Sequence, residues 1–155
     1  IVALFIRPLR IKDTQLWIDG VPVLVARLFD WLEDIVNLHA QLAATLRATL
    51  DAQYPVVLHI TGALRMFVPR LEMYQPYVVR VEEVLRAVRD MARDQGSDFG
   101  EFMRIQEGSK ECEGWSLDRL LAEPINRVVE YPNYFRVRCG SFLPVYVTNP
   151  WNSDS

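Results

Sequence analysis

The chain has 155 residues, of which 50% are hydrophobic and 24% charged, and its formal net charge is −3. That is the length of one domain with enough apolar material to form a core. The slight acidic excess argues against a nucleic-acid binder, which carries a basic one. No apolar run reaches the roughly 18 residues that suggest a membrane span. The only cysteines, Cys112 and Cys139, lack metal-ligand spacing and suit a reducing compartment.

The chain opens at Ile1 inside an apolar, helix-like pattern, so it is expected to be a fragment whose N-terminal part is missing. Leu28, Leu32, Ile35, His39, Leu42, Leu46 and Leu50 recur every three or four residues and predict one face of a long helix. It should begin after Pro22 and end near Tyr54-Pro55, with Arg27, Glu33, Asp34, Gln41 and Arg47 toward solvent. From Val56 to Arg93 the pattern is again helical, but Pro69 and Pro76 predict a kink or break between about 68 and 76. Val78, Val81, Leu85, Val88 and Met91 then form the core-facing stripe, and Glu82, Arg86, Arg89, Asp90 and Arg93 a solvated charged side.

Gln95-Gly96 ends that helix, and Ser97 or Asp98 caps a short one whose buried side is Phe99, Phe102, Met103 and Ile105. A polar loop bounded by Gly108 and Gly114 follows, and Ser116 is placed to cap the next helix. In that helix Leu117, Leu120, Leu121 and Val128 read as core, and Pro124 as a bend. From residue 137 the text turns to β-branched residues, a Gly and two Pro, with no helical stripe. The fold expected is therefore all-α, a bundle of long kinked helices packed along their length, with a non-helical C-terminal tail.

Motifs for bond-making chemistry are missing. There is no Gly-rich phosphate loop, no G-x-G-x-x-G, no H-E-x-x-H and no G-x-S-x-G. His39 falls on an apolar stripe and reads as a packed structural histidine, His59 as equally bland. Glu82 and Glu83 point to different sides of a helix and make a poor acid–base couple. Neither a metal nor a cofactor is implied.

The run Leu117 to Phe135, LDRLLAEPINRVVEYPNYF, carries a leucine pair, Pro124, Asn126-Arg127 and a Tyr131-Pro132 step. It resembles the signature helix of Dbl-homology domains, the exchange modules for Rho-family GTPases. Phe5-Ile6-Arg7-Pro8-Leu9-Arg10 is similar to the end of that family's first long helix. Phe29 and Leu38-His39 resemble landmarks of the next helix, Leu71-x-x-Tyr74-x-x-Tyr77 the middle region, and Phe99-x-x-Phe102 and Cys112 the segment before the signature. The likeness covers roughly residues 4 to 136, and its specificity lies in the order of the pieces.

The resemblance implies an elongated bundle and a guanine-nucleotide exchange factor that binds a Rho-family GTPase at its switch segments, with no covalent chemistry of its own and thus no enzyme in that sense. It implies a cytoplasmic protein, recruited to the inner face of the plasma membrane through domains outside this chain. Glu123, Asn126, Arg127 and Glu130 fall at GTPase-contacting or surface-shaping positions. Nucleotide and magnesium belong to the partner.

Two departures stand out. Glu130 replaces the usual Lys or Arg, and Asn126 the usual Gln, so partner choice or affinity should change. The family's long final helix does not follow, and the acidic switch-contacting residue of its first region would lie before Ile1. Residues 1–136 are thus expected to be a partial Dbl-homology domain, and 137–155 an irregular tail from a retained intron or altered frame. Two other readings stay open: the same fold as a scaffold without exchange, and an unrelated helical interaction module.

Overall fold

The computed structural model describes residues 1–57, 60–139 and 145–146, and the all-α expectation holds. Among the described residues there are five α-helices: α1 Val23–Gln53, α2 Thr61–Phe67, α3 Tyr74–Arg93, α4 Asp98–Glu107 and α5 Leu117–Cys139. A π-helical turn at Val2–Ile6 and a 3-10 turn at Arg7–Leu9 precede them. The boundaries follow from backbone chemistry. Pro22 stands just ahead of α1, and Tyr54-Pro55 just beyond its end, where a residue before proline is disfavoured in helix. Between α2 and α3 the chain tightens into a 3-10 segment, Val68–Met73, around Pro69. Pro76 sits in the first turn of α3, where its missing N–H costs nothing.

The chain divides into two compact units, one of Ile1–Ile35 with Met73–Tyr131, the other of Val36–Glu72 with the described residues from Pro132 onward. In the first, the core is formed by Phe5, Ile6 and Leu9, by Val25, Leu28, Phe29, Leu32 and Ile35 of α1, and by Tyr77, Val81, Val84, Leu85 and Val88 of α3. Phe99 and Met103 of α4, with Leu117 and Leu121 of α5, complete it. The α3 stripe differs from the sequence expectation. Val78 is 43% exposed and Tyr77 and Val84 are buried instead, because the buried arc is centred on the two tyrosines. Ile105 is likewise 64% exposed, since α4 turns Phe99 and Met103 inward and leaves Ile105 on the opposite side. Leu120 and Val128 are only half-buried.

One charged group organises the loop ahead of α1. Arg10 pairs with Trp17 as an antiparallel bridge. Its guanidinium lies 3.6 Å from the Trp17 ring centroid and 2.6 Å from both Asp30 and Glu33 of α1. Glu33 is therefore not simply solvated, as the sequence suggested, but helps pin the loop to the helix. The turn between the bridged residues is closed by the Ile11 N–H donating to Leu16 O and by Asp13 at φ 61.

Helix α4 starts as expected, with the Ser97 hydroxyl accepting from the Gly100 N–H at 3.0 Å. Gly100 is buried against α3, and a Cβ placed there would lie 2.1 Å from the Met91 carbonyl oxygen. No real side chain tolerates that approach, so the glycine sets the α3–α4 distance.

In the second unit, Leu42, Leu46 and Leu50 of α1 are half-buried, as is His39, whose ring meets buried Phe67 edge-on at 5.3 Å. This is the packed histidine that the sequence suggested. Strands β1 Val56–Val57 and β2 Val145–Tyr146 pair antiparallel, Val56 opposite Tyr146. An open cavity of about 470 Å³ lies between α1 and α2, lined in part by Leu42, Ala63, Met66, Phe67 and Arg70. Helix α5 continues to Cys139, past the expected boundary at 137, and the described segment beyond it, β2, is non-helical as expected. His59 and the remainder of the tail lie outside the described residues.

Gly100→Ala should lower stability by about 1–3 kcal/mol through overpacking, although alanine is by about 1 kcal/mol the better helix former. The urea midpoint of the variant against the wild type decides it, and an equal or higher midpoint refutes the packing argument.

Candidate functional surface on α5

Helix α5 is two-faced. Leu117 and Leu121 are fully buried, and Pro124, Ile125 and Tyr131 are half-buried. Glu123, Asn126, Arg127 and Glu130 are all exposed. Their spacing of three, one and three residues puts them in one stripe along the helix. The four residues singled out from the sequence are thus brought together, and none is spent on the core.

The start of α5 is secured differently from expectation. The Ser116 hydroxyl does not cap the helix. It donates to Asp118 at 2.5 Å, while the first backbone N–H, that of Leu117, donates to the Glu107 carboxylate of α4 at 2.6 Å. The capping acceptor therefore comes from the neighbouring helix, where its negative charge also suits the helix N-terminus. Asp118 receives a second hydrogen bond, 2.7 Å, from Arg89 of α3. Burial alone would raise the Asp118 carboxyl, but the bonds from Ser116 and Arg89 outweigh it and hold it below the usual carboxylate value. Beside this end, the Arg119 guanidinium lies 3.6 Å from the Trp115 ring centroid.

In the middle of the helix, Pro124 offers no N–H to the carbonyl one turn back, that of Leu120. The adjacent carbonyl, of Leu121, accepts a 2.7 Å hydrogen bond from the buried Tyr77 hydroxyl of α3. Burial, with a smaller contribution from Tyr74, pushes the Tyr77 phenol far above its ordinary value, so it remains a protonated donor. Tyr74 is shifted the same way, by burial first and then by Tyr131, against the opposing charge of Arg127. Tyr77 thus clamps α5 at its proline turn, and Tyr74 meets the helix again at Tyr131.

Along the stripe, Asn126 Nδ2 donates to Glu123 at 3.2 Å, and Arg127 lies 3.1 Å from Glu130 and 5.9 Å from the Tyr131 ring centroid. Sequence reading missed Glu107 and the Arg89–Asp118 pair, because both reach α5 from other helices. Only the tyrosine spacing hinted at Tyr74 and Tyr77. Among the described residues, no group of three or more His, Cys, Asp or Glu is placed to hold a metal ion, and no helix is long and apolar enough to cross a membrane.

A family model described as RhoGEF domain matches residues 1–137. The chain belongs to the RhoGEF family. No curated protein and no solved structure matches it. At the level of this family the activity is guanine-nucleotide exchange on Rho-family GTPases, and α5, with its leucine pair, Pro124 and Tyr131-Pro132, is the segment that carried the sequence resemblance. In this RhoGEF domain the stripe of Glu123, Asn126, Arg127 and Glu130 faces away from the buried side that Tyr77 clamps.

Tyr77→Phe should cost about 1–2 kcal/mol, since it leaves the buried Leu121 carbonyl without that donor. Chemical denaturation measures it, and a change below a few tenths would show that the clamp contributes nothing. Asp118 gives a pH signature. A carboxyl held low in the folded state contributes stability above its unfolded value, roughly pH 4, and that contribution is lost as pH falls through the folded value. The stability gap between wild type and Asp118→Asn should therefore be widest above about pH 5 and close toward pH 2. A gap independent of pH would contradict it.

Proposed function

We propose that this chain acts on a Rho-family GTPase by binding its switch segments through the exposed stripe of α5, promoting release of GDP. The family match over residues 1–137 is the observation that carries this reading. The exposure of all four stripe residues on a helix anchored from behind supports it.

The mechanism needs no bond-making group. A surface that binds the nucleotide-free GTPase more tightly than the loaded form must weaken nucleotide binding by the same factor, because the two equilibria are linked. What such a surface requires is rigidity, so that displaced switch segments meet a fixed array of side chains. Here Leu117 and Leu121 bury one side of the helix, Tyr77 fixes its proline turn, and Glu107 fixes its first turn. Nucleotide and magnesium are carried by the GTPase. The setting we infer is the cytosol, with recruitment to the inner membrane face left to domains outside this chain. In domain terms, we assign residues 1–136 to the Dbl-homology module, with α5 running on to Cys139.

A second reading is a scaffold that docks a GTPase or a neighbouring domain without exchange. The observation favouring it is that Glu130 places a carboxylate on Arg127 within the stripe itself. Detectable binding without nucleotide release separates the two.

Release of fluorescent GDP from a panel of Rho-family GTPases tests the leading reading. Acceleration is expected, and Arg127→Glu should reduce it by about ten-fold or more, since like charges across an interface cost several kcal/mol. The variant should keep its helical circular dichroism, because Arg127 is exposed. An unchanged exchange rate with an intact fold rules out this stripe as the contact surface.

A further inference from the structure

We propose that Glu130 is an intramolecular competitor for Arg127, so that the pair they form restrains the grip of the α5 stripe on its partner. This rests on the reading of the stripe as the GTPase-binding surface. It adds the chemistry of the contact, an acidic side chain on the partner that must displace Glu130 from the Arg127 guanidinium.

The geometry carries it in three ways. First, the Glu130 carboxylate is 3.1 Å from Arg127 one turn along the same helix, with side chains 51% and 56% exposed. The guanidinium therefore reaches the surface with a carboxylate already on one edge, and any incoming carboxylate competes for the same fork of donors. Second, Glu130 is not needed to hold Arg127 in place. The guanidinium is also within cation–π reach of Tyr131, at 5.9 Å, and Tyr131 is half-buried beside Tyr74 of α3. An exposed ion pair between neighbours on one helix is weak enough to be broken by a partner. Third, the other acid of the stripe does not share the role. Glu123, four residues before Arg127, takes the Asn126 amide at 3.2 Å and forms no ion pair among the described residues.

A competitor and a preorganising partner have opposite consequences when removed. If Glu130 competes, neutralising it frees Arg127 and tightens binding. If it serves to orient Arg127, neutralising it loosens binding. The strength of an exposed pair sets the scale, a change of about two- to five-fold in affinity. The effect should shrink at high ionic strength, as screening weakens the pair and the new contact alike.

The test is a double-mutant cycle on the full chain: wild type, Glu130→Gln, Arg127→Gln and the double variant, titrated against nucleotide-free Rho-family GTPases by calorimetry at low and high salt. Glutamine keeps the shape of glutamate and both positions are exposed, so all four proteins should fold alike, which circular dichroism checks. Glu130→Gln is expected to bind about two- to five-fold more tightly than wild type, with no gain in the Arg127→Gln background. Equal or weaker binding by Glu130→Gln overturns the proposal, as does the same gain without Arg127. If wild type binds but the cycle shows no coupling, only this inference fails. If no variant binds any GTPase, the functional reading falls with it.

Discussion

The hydrogen bond from Tyr77 to the carbonyl of Leu121 is the constraint on which the rest of α5 depends. A proline in the eighth position of a long helix removes a backbone donor and crowds the preceding turn, a cost of about 3 kcal/mol in an ordinary setting. Here a contact from outside the helix holds the same turn. Tyr77 is fully buried, its hydroxyl is kept protonated by that burial, and it reaches a carbonyl next to the one that Pro124 deprives. The flanking Leu117 and Leu121 are buried in the same core. Helix α5 thus keeps a continuous path from Leu117 to Cys139 through two prolines, and its exposed side inherits a fixed orientation.

The first turn of α5 repeats this logic with charge. Its leading N–H is satisfied by Glu107 of α4, and Asp118 is held by Arg89 of α3. Two neighbouring helices therefore each contribute a polar contact where the helix is weakest, at its unsatisfied end. The spacing of those neighbours is set in turn by Gly100, whose lack of a side chain lets α4 approach the Met91 carbonyl of α3. Glycine, capping carboxylate, ion pair and phenol form one series of contacts that place a single helix.

A surface built in this way suits an activity that works by binding. Exchange by the route proposed above needs a rigid helical face that prefers one conformation of a partner over another. In this chain that face carries opposite charges already in contact with one another, Arg127 with Glu130. On the proposed reading, affinity there is a difference between internal and external pairing, and Glu130 stands where the sequences that α5 resembles usually carry Lys or Arg.

Much of this was legible without coordinates. Apolar spacing of three and four marked α1, the prolines at 69 and 76 placed the break before α3, and Ser97 identified the start of α4, because these signals are local and the backbone obeys them locally. The stripe on α5 was equally legible, since residues 123, 126, 127 and 130 share a side on any helix. What periodicity could not decide was which arc of a helix another element covers. Val78 and Ile105 fit an apolar stripe yet stand exposed, while Tyr77 and Val84 are buried. The Ser116 cap fitted its motif as well, but Glu107 took the position from ten residues away. The sequence by itself determined the helices, their breaks and the composition of the exposed stripe, because each depends on neighbours a turn or less apart. Only the tertiary structure decided the buried arcs, the external cap, the Tyr77 clamp and the seating of Arg10 on α1, because those contacts join residues distant in the chain whose meeting no local pattern specifies.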